Sequence, residues 1–580
     1  MMGFDYMAEY WRWTYSPALT QDEQLELLSI AADEEEIESR FYSPLEFGTA
    51  GLRGIMGLGL YRMNEYVIRH ATYALGTLIV REGEDAMKRG CVIGCDCRNN
   101  SRKFAIAAAE VMAGLGIHVR LFEDMRPTPE LSFAIRYYGA VAGINITASH
   151  NPKEYNGYKV YWSDGAQLPP DHAAKVAEIM AENDILAKPP VKSCEAAIAD
   201  GSMELIGAET DEAFMEQVMA QCIEPECIAK AADELKIVYT PFHGAGRILV
   251  PEVLKRLGLK KLVCVEEQMI PDGDFSTVAS PNPENPEGFA LAEKLADREG
   301  ADLLIGTDPD SDRIAIMVRG KDGAFKQISG NQMGVLLIDY ILSRRKEKGT
   351  LPADAAVIKT IVTTDMANRV AEANGVACYD VFTGFKYMAE LMKDFEEDGS
   401  HTTLFCYEES FGCLIGNFVR DKDAVTAAAM LTEVAAYYHL RGMSLLDAMD
   451  ELYEKYGFYS EHTINVVMPG VDGIEDRKRM MAALRENPPK SIGGMRVTLV
   501  RDYKVGTELD ITSGEVGDMS LNGSDVLIFV LEDGCKLAVR PSGTEPKIKM
   551  YILIRGSSKE ECKDRVEACV VSANALADKY

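Results

Sequence analysis

The segment Asp308-Pro309-Asp310-Ser311-Asp312-Arg313 sets three carboxylates at alternate positions directly after an apolar run that ends at Gly306. In a turn, carboxylates at i, i+2 and i+4 can converge on one hard divalent cation. An EF-hand loop starting at Asp308 is excluded, because Arg313 stands where the tight-turn glycine belongs and Arg319 where the closing glutamate belongs. Three carboxylates leave Mg²⁺ with positions for water or a phosphate oxygen. A polar turn with capping aspartates is the plainer alternative. The C-terminal end of a predicted strand, however, is where α/β proteins build their sites.

Four further segments carry groups able to do chemistry. Thr147-Ala148-Ser149-His150-Asn151-Pro152 also follows a predicted strand, and its serine can act as a nucleophile or phosphate carrier. The Ser-His adjacency does not predict a triad, since neighbouring side chains normally diverge, and the G-x-S-x-G elbow is absent. Arg540-Pro541-Ser542-Gly543-Thr544-Glu545-Pro546-Lys547 offers a guanidinium fork, two hydroxyls and a glycine that lets backbone amides approach an anion. Phe47-Gly48-Thr49-Ala50-Gly51-Leu52-Arg53-Gly54 is a glycine-dense loop with one arginine. Tyr407-Glu408-Glu409-Ser410-Phe411-Gly412 sets carboxylates beside a hydroxyl, which suits sugar hydroxyls as well as it suits a solvated turn. No P-loop occurs, and Gly244-Ala245-Gly246 lacks the third glycine of a dinucleotide fingerprint. Cys91, Cys95 and Cys97 have neither C-x-x-C spacing nor a nearby histidine, which argues against zinc; His243 and His439 read as core or capping residues.

The elements that must position these loops alternate. A helical lead-in spans Asp22 to Glu38. Strands are expected at Val92–Gly94, His118–Phe122 and Val141–Ile146, with helices at Ser101–Leu115 and from Glu130, the rhythm of a largely parallel α/β layer. Ala187 to Ser202, with Pro189-Pro190, reads as a linker. The rhythm restarts with strands at Lys236–Tyr239, Leu262–Glu267 and Asp302–Gly306 and helical patterns at Pro251–Leu257 and Glu287–Arg298. After Gly330 it restarts again, with a helix to about Lys348 and strands near Val357–Val362, Ala377–Val381 and Thr402–Tyr407. The tail differs. Val526–Glu532 and Lys536–Val539 flank the hairpin signal Asp533-Gly534, and Lys547–Leu553 adds a strand. Ser558 with Glu561 predicts a capping box on a last helix whose Cys562, Val566, Cys569 and Val570 share a face.

With 580 residues, 47% of them hydrophobic, the chain can fill several ordinary cores. A charge of −30, from 61 Lys+Arg against 91 Asp+Glu, excludes nucleic acid and anionic membrane as its main partners. The most apolar stretch, Ala424–Tyr438, is too short to span a bilayer and is interrupted by Glu433. The N-terminal residues Met1 to Tyr15 lack the order of a signal peptide, and thirteen scattered cysteines suit a reducing compartment, so a cytoplasmic location is expected.

Taken together and in order, the five loops resemble those of the α-D-phosphohexomutase family, in its longer branch of phosphoglucomutases and phosphomannomutases that also holds phosphopentomutase-like members. The resemblance implies three tandem mixed α/β domains plus a C-terminal α+β domain around a central cleft. The divisions expected are 1–205 with the phosphoserine loop, 206–322 with the metal-binding loop, 323–456 with the sugar-binding loop and 457–580 with the phosphate-binding loop. It implies reversible transfer of a phosphoryl group between hexose 1-phosphate and hexose 6-phosphate, with glucose favoured, through a phosphoserine and a sugar 1,6-bisphosphate that also activates the enzyme. Mannose or pentose specificity, a sugar-phosphate hydrolase and an inactive phosphosugar-binding regulator are the alternatives.

By the same resemblance, Ser149 carries the phosphoryl group and joins Asp308, Asp310 and Asp312 around one Mg²⁺. Lys159, in Asn156-Gly157-Tyr158-Lys159, is the proton shuttle, its proton affinity lowered by neighbouring cations; Arg53 and Arg313 steady the transferring group. Thr383, Gly384, Glu408, Ser410 and Lys422 would hold the sugar, and Arg540, Ser542, Gly543 and Thr544 the non-reacting phosphate. The implied partners are small phosphosugars, with no nucleic acid and no membrane, and the chain a monomer or homodimer. Two departures bear on sugar identity: Tyr407 where many relatives have glycine, which would narrow the pocket, and a longer segment from Pro169 to Ser202.

Overall fold

A computed structural model describes residues 4–468, 470–542 and 547–579. Two compact units emerge: Met1–Ile328 with Ala389–Glu397 and Ser410–Gly442, and Ser329–Met388 with Asp398–Glu409 and Met443–Tyr580.

In the first unit, one six-stranded sheet takes strands Leu52–Ile55, Cys91–Cys95, Val119–Phe122, Ala142–Ile146, Tyr155–Trp162 and Met203–Ile206. Four strands, Ala142–Ile146, Cys91–Cys95, Val119–Phe122 and Met203–Ile206, run parallel; Tyr155–Trp162 pairs antiparallel to Ala142–Ile146, and the edge strand Leu52–Ile55 pairs antiparallel to Tyr155–Trp162. Cys91–Cys95 and Ala142–Ile146 are buried along their whole length, as strands covered on both faces must be. Helices Ser101–Gly114 and Thr128–Tyr138 connect them close to the predicted positions. The expected linker instead holds a helix, Cys194–Ala199, capped by Ser193, and leads into the last strand of the sheet; its prolines precede the helix rather than forbid it. The lead-in is three helices, Tyr6–Thr14, Gln21–Ser29 and Glu34–Phe41, whose core is built on Tyr10, Trp13, Leu27, Ile37 and Phe41.

The second sheet of this unit places Lys236–Thr240, Lys261–Cys264 and Leu303–Thr307 in parallel, with Ile314–Arg319 and Phe325–Ile328 antiparallel at one side. The expected strand to Glu267 ends at Cys264, because Glu266–Gln268 winds into a 3₁₀ turn. The helix expected from Pro251 begins at Gly246, so the proline lies inside it. Ala424–His439 is apolar on nearly every side and buried. Its one carboxylate at mid-length, Glu433, accepts the backbone amides of Ile223 and Glu224, which is how a buried charge is tolerated there. No helix among the described residues is long and apolar enough to cross a membrane.

In the second unit, strands Ala355–Thr360, Ala377–Val381 and Thr402–Tyr407 are parallel, and the helix Gly330–Glu347 opens on a full capping box of Ser329 and Gln332. Tyr407 turns into the interior, fully buried, its ring beside Phe405 and against Gly334. It does not narrow a binding loop as expected, because strand alternation sends it inward while Glu408 faces out. The C-terminal region is antiparallel throughout, with Phe458–Val467, Lys547–Gly556, Lys536–Pro541, Leu527–Leu531 and Met495–Asp502 as neighbours in that order. Asp533 and Gly534 make the predicted tight turn with φ of 63° and 75°. Cys562 and Cys569 are buried in its core, with Val566 and Val570 packed alongside. Half of the expected capping box is present: Ser558 accepts the Glu561 amide, but the Glu561 carboxylate binds Ser557 instead.

Candidate active site

Three loops of the first unit converge at the C-terminal ends of its parallel strands. The turn Asp308–Asp312 is shaped by its own first residue, whose Oδ1 accepts the amides of Asp312 and Arg313 at 3.0 Å each, with Ser311 in the left-handed region at φ 53°. Close packing beneath explains Gly244-Ala245-Gly246. A Cβ on Gly244 would stand 2.5 Å from Pro309 Cα and one on Gly246 2.7 Å from Ser311 Oγ, while the Ala245 amide donates to Pro309 O. These glycines let the backbone approach the acidic turn rather than a nucleotide.

The three carboxylates are fully buried, with ligand oxygens all within 4.8 Å of one another. Asp308 Oδ2 accepts the Ser149 hydroxyl at 2.7 Å. Asp310 Oδ2 accepts Lys159 Nζ at 2.6 Å and the Thr128 hydroxyl at 2.7 Å. Asp312 Oδ2 lies 3.1 Å from Lys159 Nζ and 3.3 Å from Lys422 Nζ. Oδ1 of Asp310 and Oδ1 of Asp312 are buried without a hydrogen-bond partner. Two orphaned carboxylate oxygens beside a third carboxylate form an all-oxygen donor set that fits a hard divalent cation. Burial, Asp310 and Asp312 together push the Asp308 carboxyl well above the carboxylate range. Burial also works against ionisation at Asp310 and Asp312, but Lys159, aided at Asp312 by Lys422, outweighs it and holds both below the usual value.

Lys159 corrects one expectation. Burial lowers its proton affinity, but its nearest charges are carboxylates, and Asp310 and Asp312 raise it above the ordinary lysine value. The group is therefore an ammonium while those carboxylates are bare. Strand Tyr155–Trp162 delivers it, paired to Ala142–Ile146 with Lys159 opposite Asn145. Lys422 is steadied by Asp421 at 2.9 Å, and Asp421 in turn accepts the Tyr161 hydroxyl at 3.0 Å.

Ser149 is buried at φ 52°, a left-handed conformation rare for serine. That turn reverses another expectation: His150 Nδ1 comes to 3.3 Å from Ser149 Oγ, because the left-handed residue swings the next side chain back over it. The tautomer of His150 sets which of the two groups donates in this contact. Removal from water, Arg313 and Arg53 push His150 well below the usual histidine value, so it is neutral. Arg53 reaches the same loop through Asn151 Oδ1 at 2.9 Å. Arg313 binds Glu284 Oε1 at 2.6 Å and the Ser410 carbonyl at 3.2 Å.

In the second unit, Glu408 Oε1 accepts the Gly384 amide at 3.0 Å, so Thr383, Gly384 and Glu408 form one cluster. The neighbouring Glu409 carboxylate is engaged by the Thr360 and Thr363 hydroxyls. Arg540 is the penultimate residue of the strand Lys536–Pro541, and the Ser542 amide donates to Lys547 O at 2.9 Å. Gly543 and Thr544 lie outside the described residues.

Among the histidines, His243 is a satisfied core residue bound to Ile270 O and Thr277. His439 closes its helix at the surface beside Glu234. Cys91 and Cys95 are buried free thiols. Sequence reasoning passed over Asp96, Arg98, Thr128, Glu284 and Asp421, each of which contacts one of these loops or its charged residues. The signal for the first two was available: Asp96-Cys97-Arg98 follows directly on the C-terminal end of a parallel strand.

Residues 44–186, 212–322 and 329–456 match, in turn, the families described as Phosphoglucomutase/phosphomannomutase, alpha/beta/alpha domain I, domain II and domain III. Two relatives named phosphoglucomutase are similar along nearly the whole chain. That of Staphylococcus saprophyticus is 33% identical over 92% of this chain and 95% of its own length. That of Staphylococcus haemolyticus is 36% identical over 90% and 93%. A solved phosphoglucomutase/phosphomannomutase family protein from Burkholderia thailandensis shares the fold at a TM-score of 0.64 and 19% identity, over 92% of this chain and 97% of that one.

Proposed function

The chain belongs to the phosphoglucomutase/phosphomannomutase family, and from that membership we propose that it interconverts hexose 1-phosphate and hexose 6-phosphate, with glucose as the favoured sugar. The observation that supports this most is a serine hydroxyl held 2.7 Å from one member of a buried three-carboxylate cluster that two ammonium groups also touch. Phosphoryl transfer demands positioning and positive charge rather than elaborate covalent chemistry, and this cluster collects both in an otherwise acidic chain.

In this reading, phosphorylated Ser149 gives its phosphoryl group to the free hydroxyl of a bound sugar monophosphate. The hydroxyl loses a proton and Ser149 Oγ leaves. The resulting sugar 1,6-bisphosphate turns over and returns its other phosphate to Ser149. Asp308, Asp310 and Asp312, with Ser149, would hold one Mg²⁺, which would neutralise charge on the transferring group and on the carboxylates that keep Lys159 protonated. Lys159 Nζ then moves the proton, and neutral His150 orients Ser149 Oγ. Arg53 and Arg313 steady the group in transfer. Lys422 and Ser410 meet the sugar, as do Thr383, Gly384 and Glu408; Arg540, Ser542, Gly543 and Thr544 hold the phosphate that does not react. The four-domain division at 205, 322 and 456, a cytoplasmic location and binding of phosphosugars alone belong to the same proposal.

Purified chain with Mg²⁺, glucose 1-phosphate and a trace of glucose 1,6-bisphosphate is expected to yield glucose 6-phosphate without inorganic phosphate. Ser149→Ala is expected to lose turnover and keep sugar-phosphate binding. Unchanged turnover in that variant, or stoichiometric release of phosphate by the wild type, would sink the reading. Parallel rates on glucose, mannose and ribose 1-phosphates fix the sugar preference.

A further inference from the structure

The strained conformation of Ser149 needs an external cause. A non-glycine residue at φ 52° costs on the order of 1 kcal/mol and persists only where its surroundings over-determine it. Those surroundings lead to a residue outside the reacting groups. Arg98, with a side chain wholly buried, donates Nη2 to the carbonyls of Ser149 and Asn151 at 2.5 Å each. Its Nη1 donates to the carbonyls of Pro152 at 2.8 Å and Tyr155 at 3.1 Å. One planar guanidinium thus grips four carbonyls across seven residues and closes the serine loop into a ring around itself. The Phe275 ring, 5.1 Å away, covers the guanidinium.

Asp96 completes the device. Its Oδ2 lies 3.2 Å from Arg98 Nε and accepts the Thr147 hydroxyl at 2.6 Å. Its Oδ1 accepts the Ser101 hydroxyl at 2.7 Å and the Arg98 amide at 2.9 Å. Thr147 Oγ1 then accepts the amide of Ser149 at 2.8 Å. Ser149 is therefore fixed on both sides, its amide through Thr147 and Asp96 and its carbonyl through Arg98. The same buried ion pair anchors both. No other described cation binds the Ser149 backbone.

We propose that Arg98 is a positioning residue which, with Asp96, sets the backbone of Ser149 so that Oγ faces the acidic cluster. This rests on the reading of Ser149 as the phosphoryl carrier. The function belongs to the fork rather than to the charge. Lysine offers a point charge with three donors that radiate from one atom and cannot span four carbonyls in a plane. A misplacement of about 1 Å at a reacting atom costs on the order of a hundredfold in rate.

Arg98→Lys, which keeps the charge and loses the fork, is the decisive variant. Its kcat with glucose 1-phosphate is expected to fall by about tenfold to a hundredfold, with KM within about threefold of wild type. Amide hydrogen exchange is expected to accelerate within residues 147–155 and to stay unchanged in the rest of the first unit. Should Arg98→Lys fail to fold, Thr147→Val breaks the amide-side anchor alone and is expected to produce the same split between kcat and KM. Wild-type kcat in either folded variant, or faster exchange spread across the whole unit, would overturn the assignment. A wild-type protein without mutase activity would instead defeat the functional reading, and local exchange in Arg98→Lys still tests the clamp.

Discussion

At the scale of the residue, the cluster is a balance of opposed charges. Asp310 and Asp312 share the ammonium of Lys159, and Asp312 also meets Lys422. A cation drawn to the orphaned carboxylate oxygens must therefore compete with ammonium groups already there. Two unit charges 4 Å apart interact by about 4 kcal/mol at an effective dielectric of 20. Lys159→Met is accordingly expected to bind Mn²⁺ at least about tenfold more tightly than wild type while losing turnover, with affinity read by calorimetry or paramagnetic titration. Weaker binding would show that Lys159 supports the cation instead. Much of this was legible from residue type: three aspartates at alternate positions and a serine after a strand each carried their chemistry in the sequence. The nearest neighbours of Lys159 were not. Its proton affinity depends on carboxylates at 2.6 and 3.1 Å that lie 151 and 153 positions away in the chain, and sequence spacing says nothing about that.

Elements are positioned by buried polar ends and by single-atom clearances. Asp423 caps the helix Ala424–His439 by accepting the Val425 and Thr426 amides, yet it is wholly buried, and that burial raises its pKa to about 6. The folded state thus holds its proton more tightly than the unfolded chain. The stabilising contribution is complete below about pH 4 and is lost as pH rises through about 6, a loss of roughly 3 kcal/mol at about 1.4 kcal/mol per unit. Asp423→Asn keeps an acceptor for the amides, and its thermal midpoint is expected to gain on wild type between pH 4 and 7. A constant difference across that range would refute the assignment. In the second unit, the helix Gly330–Glu347 crosses a strand end so closely that a Cβ on Gly334 would lie 2.0 Å from the Tyr407 ring. Gly334→Ala is expected to destabilise by about 1–3 kcal/mol through overpacking. Tyr407→Phe removes a buried hydroxyl that has no partner, and is expected to be neutral or stabilising with sugar preference unchanged. Helices and strands were readable from periodicity and caps. What escaped were boundaries set by partners: a helix inside the expected linker, a proline taken inside a helix, and a Glu561 carboxylate drawn to Ser557.

Across the whole molecule, the thirteen cysteines stand as free thiols, and two of those in the C-terminal core, Cys562 and Cys569, are pushed by burial to about 11. Native protein is expected to react slowly with a disulfide reagent at pH 8 and rapidly at all thirteen positions once denatured, with a thermal midpoint that ignores added reductant. A reductant-dependent midpoint would reveal a crosslink. The charge of −30 is compatible with an anion site because field is local: Arg53, Arg98, Lys159, Arg313 and Lys422 gather around the serine loop and the acidic turn, within the roughly 10 Å that salt leaves unscreened. The sequence by itself determined the alternation of elements, the antiparallel tail and the chemical character of the acidic turn and the serine loop, since hydrophobic period, turn residues and side-chain chemistry are properties of short segments. Only the tertiary structure decided that Tyr407 serves the core, that Lys159 is held as an ammonium and that Arg98 grips the Ser149 loop. Each of those depends on atoms a few ångströms apart in space but far apart in the chain, where burial and Coulomb interaction, not local propensity, set the outcome.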